Sequence, residues 1–260
     1  MGALGIIKNL AKLRLAYKFE FFGSLIFTVL WVVLLAVIWK SVFLFSNLES
    51  IKGFTLQDLV FYYIIVQLIR FWTDVDISYR VEQLVRYGNF TPLLLKPLSF
   101  PAFCFLDDLS EKLVNIFLKI IPAFLVFVIL FGLPPFTFSS FFFGIISSIL
   151  AYLLMFLIDF MLSTLIFFTK SSHGILDFVG TGMHLINGIL FPLIFLPENV
   201  YSGLLYLPFP YLGYFPALVF LNKTDFLEVL GFQLGWLLLF LPISFFLWKI
   251  SLKRIEGVGI

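Results

Sequence analysis

Between Glu20 and Lys40 lie 19 residues without a charge, 21–39, nearly all of them apolar. A helix rises 1.5 Å per residue, so such a run crosses most of the roughly 30 Å hydrocarbon core of a bilayer. It is too long for a signal-peptide core, and no small-residue cleavage site follows it, so it reads as a retained span. Composition extends the argument to the whole chain. Charged residues are 12% and apolar residues 62%, with 37 Phe among 260 residues. A chain like this cannot clothe a compact soluble domain in polar surface. Nor does it carry the charge that keeps a chain disordered. A soluble enzyme, a nucleic-acid binder and a disordered tail are all excluded, which leaves an integral membrane protein in a lipid bilayer.

Six spans need about 120 residues and leave about 140 for loops and interfacial segments, whereas eight would leave almost no loops. The pattern predicts an all-α protein with spans at 21–45, 55–72, 113–133, 139–168, 174–196 and 226–250. No internal repeat and no linker divides it, so 1–260 reads as a single domain. The lone Cys104 rules out an intrachain disulfide and a Cys-based metal site. Orientation follows from Lys and Arg. Lys8, Lys12, Arg14, Lys18, Arg70, Arg80, Arg86, Lys96, Lys112, Lys170, Lys249, Lys253 and Arg254 fall on one side, 13 in all; Lys40, Lys52 and Lys223 fall on the other. Lys119 lies inside a span and is not counted. The positive side is cytoplasmic, so both termini are expected there.

Three segments do not span. Residues 4–18 are basic and helix-compatible, with Ile6, Leu10, Leu13 and Tyr17 opposite the cations; this suits a helix lying in the cytoplasmic interface. Residues 77–100 begin with a short helix in which Glu82 and Arg86 stand i, i+4 and Val81, Leu84 and Val85 share a face. Gly88 is its expected stop, and Pro92, Pro97 and Pro101 after it are expected not to continue a helix. This helix is either a docking surface or a loop helix held against the membrane. Residues 192–216 hold five of the 12 prolines and four of the 10 tyrosines, so this apolar stretch cannot be one helix. Short re-entrant helices forming an outer cap are expected, with Tyr201, Tyr206, Tyr211 and Tyr214 at the headgroup layer.

Residues that carry chemistry are scarce. There is no phosphate-binding loop ending in Gly-Lys-Ser/Thr, no Gly-x-Ser-x-Gly elbow and no His-Glu-x-x-His. His173 and His184 stand 11 apart without an acidic or thiol partner, so neither metal nor cofactor is expected in this chain. Asp107, Asp108 and Glu111, with Lys112 four residues after Asp108, read as a solvated, salt-bridged helix start. Arg70 and Asp159 are the intramembrane polar candidates. They either pair, or one lines a polar cavity, or Arg70 reaches the interface.

With these features assembled, the chain resembles the permease subunit of ATP-binding-cassette transporters of the type-2 exporter class. The resemblance runs over nearly the whole length. LAKLRLAYKFEFFGSLIFTVLWVVLLAVIWKSVF is similar to that family's interfacial helix and first span, and GFTLQDLVFYYIIVQLI to its second. RYGNFTPLLLKPLSFP has its Gly followed by a Leu-rich stretch ending in Lys-Pro. FPLIFLPENVYSGLLYLPFPYLGYFPALVFL resembles its outer re-entrant segment, and FQLGWLLLFLPISFFLWKISLKRIEGVG its last span. The resemblance implies six spans, a dimer of permease subunits and a separate ATPase that holds ATP and Mg. It makes 77–88 the coupling helix, with Arg80, Glu82, Gln83, Arg86 and Tyr87 as candidate contacts with the ATPase. It also implies outward transport through a path formed by this chain. The competing readings are a secondary transporter or channel needing no ATPase, and an intramembrane enzyme; neither an internal repeat nor a clustered nucleophile supports them. Asn222-Lys223-Thr224 fits a glycosylation sequon.

Overall fold

Helices begin where a polar cap meets an apolar run. The computed structural model describes residues 18–88, 90, 93, 98–169 and 173–258, and among them no strand is formed. The expected interfacial helix at 4–18, most of the Pro-punctuated strap and Lys170 lie outside the described residues. α1 (Lys18–Ser46) carries the uncharged run. Thr55 opens α2 (Leu56–Thr73): its Oγ1 accepts the Asp58 N–H at 3.1 Å and the Asp58 carboxylate accepts the Thr55 N–H at 2.9 Å. This reciprocal cap satisfies two of the donors a helix leaves unpaired at its start. α3 (Ile77–Arg86) is short and polar. α4 (Phe100–Asn115) passes through a π-helical turn at Ile116–Ile120 into α5 (Ile121–Phe131). Pro122 has no N–H to donate, and the wider turn just before it lets the rod continue. Thr137 and Ser140 repeat the reciprocal cap at the start of α6 (Phe138–Leu165). α7 (His173–Ile186), α8 (Glu198–Leu204), α9 (Tyr214–Phe220) and α10 (Phe226–Val258) complete the order.

Among the described residues, four rods are long and apolar enough to cross a membrane: Gly23–Ser46, Phe100–Phe131, Phe138–Leu165 and Phe226–Arg254. Phe27, Ile129, Phe138 and Leu238 on these rods are 66%, 81%, 88% and 77% exposed, a surface that suits lipid and not water. α2 is built differently. It is buried along most of its length, and so it accommodates Tyr62, Tyr63 and Gln67 among protein groups.

Three expectations change. The rod expected at 113–133 starts at Phe100, and Pro101 sits in its first turn, where a missing N–H costs nothing. Asp107, Asp108 and Glu111 are therefore inside the helix rather than ahead of it. The span expected at 174–196 stops at Ile186, because Gly188 takes a left-handed backbone with φ +84°. A Cβ at Gly188 would lie 2.6 Å from Tyr214 Cβ and 2.7 Å from the Tyr62 hydroxyl, so the chain turns where only glycine fits.

Beyond Gly188 the backbone proceeds through 3₁₀ turns at Leu193–Phe195 and Phe209–Leu212 and the short helices α8 and α9. The stretch from Pro210 to Val219 is buried throughout. Its backbone is tied to the surrounding protein: Tyr214 N donates to Asn187 O at 2.9 Å, and Gln233 Nε2 of α10 donates to Tyr211 O at 3.0 Å. Lys52 Nζ donates to Ile194 O at 2.6 Å, tying the α1–α2 loop to this segment. The bundle thus has a cap end, built from 187–225, and an opposite end that carries α3. One apolar core surrounds α2 and the cap; a second, including Phe90, Phe100, Phe160 and Trp248, lies under α3.

Candidate functional site

α3 is a short helix that carries Arg80, Glu82 and Arg86, and three elements hold it. Ile77, Ser78 and Val81 are its buried face. Asp159 of α6 meets its first turn: Asp159 Oδ2 accepts Ser78 N–H at 2.9 Å, and Oδ1 accepts the Ser78 hydroxyl at 2.6 Å. Arg80 reaches α4, with Nη1 2.8 Å from Asp107, Nη2 2.8 Å from Asp108, and Glu111 3.7 Å from Nη1. Tyr79 donates to Asp177 of α7 at 2.7 Å. Below them, Lys112 sits 3.7 Å from Asp108 and donates to the carbonyl of Asp74 at the end of α2.

The electrostatics follow from this crowding. Burial works against the charge on Arg80, but Asp107, Asp108 and Glu111 outweigh it and raise its pKa. Burial and then the nearby Asp74 carboxylate hold the Asp76 carboxyl above its ordinary value. Tyr79 is pushed up to about 12 by burial and by the Asp177 carboxylate it donates to.

The acidic cluster is less solvated than its sequence suggested: Asp107 and Glu111 are half-buried and Asp108 is fully buried. Asp108 and Lys112 are 0% and 1% exposed, because α3 and α6 cover this flank of α4. Arg70 and Asp159 form no ion pair. Both line a cavity of about 260 Å³, with Asp74, Asp76, Asp177 and His184, but the Asp159 oxygens are taken by Ser78. Arg70 and His184 also line a cavity of about 240 Å³ toward α1, beside Trp31 and Gln67.

The five residues read as docking contacts separate into two groups. Arg80 is turned into the protein, and Glu82 is half-buried. Gln83, Arg86 and Tyr87 are exposed, Tyr87 by 72%. Tyr87 N closes the helix on Gln83 O at 3.0 Å, and Gly88, at φ +71°, stops it as expected. Between α3 and α4 an opening of about 380 Å³ is lined by Val81, Leu84, Tyr87 and Phe103. Ser78, Tyr79 and Asp177 were not singled out from the sequence. An acid buried in a span announces that it needs a donor, but nothing in the sequence names a helix N-terminus as that donor.

Long lipid-facing rods, a buried central helix and a short polar helix held at one end define a multi-pass membrane protein of the transport class. The model of the family described as ABC-2 family transporter protein matches residues 41–259, and the chain belongs to that family. Comparison with curated proteins gives no match.

Proposed function

We propose that this chain is the membrane-spanning subunit of an ATP-driven exporter, that it forms the substrate path, and that α3 couples it to a separate ATPase subunit. The family supports a transporter permease; the observation that supports the coupling is the construction of α3. A ten-residue helix at the end of the bundle is anchored to α4, α6 and α7 by side-chain bonds, yet leaves Gln83, Arg86 and Tyr87 exposed. A helix held from within and open on its other edge suits the transmission of force from a partner. In this reading ATP and Mg bind the partner, and a second permease subunit, identical or related, completes the path. α2 and the segment beginning with α7 cross the cell (inner) membrane with the four long rods, giving six spans. α3 and both termini face the cytoplasm, and the segment between α7 and α10 re-enters from outside.

Photocrosslinkers placed at Gln83 and Tyr87 of the chain in its native membrane test the coupling. The expected product is a soluble ATPase, recognised by its phosphate-binding peptide in mass spectrometry. Crosslinks to lipid alone at both positions would overturn the assignment. Arg86→Glu with Glu82→Lys is expected to lower ATPase co-purification at least several-fold, and unchanged assembly would count against α3.

A further inference from the structure

Resting on that coupling reading, we propose that α6 is the rod that carries α3 movement to the cap end, with Asp159 as the positioning residue that fastens α3 to it. The first N–H groups of a helix have no partner within the helix and are usually capped by a side chain just before it. α3 has a residue of the right kind there, Asp76, yet its side chain makes no capping bond. The cap comes instead from Asp159, 81 residues away on a different helix. Its two oxygens hold a backbone N–H and a hydroxyl of the same residue, which fixes the rotation of α3 as well as its distance. The helix dipole favours the anion at this end. Asp159 is 4% exposed, so a movement that separated it from Ser78 would leave a largely buried carboxylate without its two donors. The bond is one that moves intact rather than one that opens.

The other end of α6 is fastened just as specifically. Ser147 Oγ donates to Gln233 Oε1 at 3.1 Å, while Gln233 Nε2 donates to Ser147 O and Tyr211 O, each at 3.0 Å. Gly144 lets the Phe220 ring of α9 come so near that a Cβ would lie 2.5 Å from it. One 28-residue helix thus has α3 bonded near one end and both α10 and the cap bonded near the other. α7, bonded to α3 through Asp177, also runs into the cap at Asn187, so the Asp159 variants are needed to isolate the route through α6.

The experiment separates a local cap from a transmission link. In a Cys104→Ser background, spin labels at Leu133→Cys and Glu198→Cys report a distance at the cap end. The protein is purified with its ATPase in nanodiscs, and the distance is measured with and without ATP and vanadate. Asp159→Ala is expected to abolish the nucleotide-dependent shift. Asp76→Ser then keeps a capping side chain ahead of α3 while removing the second carboxylate there. In Asp159→Ala with Asp76→Ser, the ATPase is expected to co-purify as with the parent, while the shift stays absent. Ser78→Ala keeps the backbone bond and should show a reduced shift. A full shift in either Asp159→Ala protein would overturn the proposal, because Asp159 would then be a local cap or dispensable. If no ATPase accompanies the parent chain, the coupling reading itself falls and this link with it. An ATPase that accompanies the parent, with the shift intact in the variants, sinks the link alone.

Discussion

Arg80 illustrates how a charged side chain on a surface helix can belong to the interior. Its guanidinium is the nearest cation to Asp108, which has no exposed surface; without it, Lys112 at 3.7 Å is left as the counter-charge. Arg80→Met is expected to lower stability by on the order of 3 kcal/mol, since it leaves the buried Asp108 with only the more distant Lys112. Asp108→Asn added to it should recover part of that loss, because the buried carboxylate that lost its nearest cation is gone and Lys112 keeps the Asp74 carbonyl. Thermal unfolding in detergent reads both, and equal losses in the single and double variants would refute the pairing account. Gly188 makes a second prediction at this scale. Gly188→Ala must hold alanine at φ +84° and force it against Tyr62 and Tyr214, a cost of at least about 1–2 kcal/mol. Tyr62→Phe, which loses the 2.6 Å bond to Gly188 O, should cost about 1 kcal/mol.

Among the elements, the long rods are legible from composition because an uncharged run of about 20 residues has few other fates in water. α2 shows where that reasoning weakens. Asp58, Gln67 and Arg70 lower its mean hydropathy, and its neighbours, not lipid, make the polar residues tolerable. α7 shows the converse: its apolar run continues past Ile186, but a left-handed glycine ends the helix. A local sequence pattern marks a possible breaker, while the packing of Tyr62 and Tyr214 decides that the break occurs there. The contact between α6 and α10 gives a test at this scale. Gln233 is fully buried with bonds to Ser147 and Tyr211, and Gln233→Leu removes them all. The expected loss is about 1–3 kcal/mol, and Gln233→Glu should not recover it, because a buried carboxylate would face the Ser147 and Tyr211 carbonyls that accept from Nε2. Unfolding of the purified chain measures it, and a neutral Gln233→Leu would refute the role of this contact.

At the level of the whole molecule, the prediction concerns sidedness. In the Cys104→Ser background, Tyr87→Cys and Glu198→Cys are both exposed, one on α3 and one on the cap segment. A membrane-impermeant maleimide added to intact cells is expected to label Glu198→Cys at least tenfold faster. Equal labelling of both would show that the α3 end and the cap end do not face opposite sides. By itself the sequence determined that this chain is a membrane protein with long apolar rods, that a short polar helix begins at Ile77 and stops at Gly88, and that the Pro-rich stretch at 192–216 cannot be one helix. Those properties follow from charge, length and backbone chemistry, which act over a few residues at a time. Only the tertiary structure decided that Asp159 caps α3 and leaves Arg70 unpaired with it, that Arg80 turns inward to Asp107 and Asp108, and that Asp108 is buried. Each of those outcomes joins residues from different helices, and the periodicity of one helix carries no information about which buried group on another will reach it.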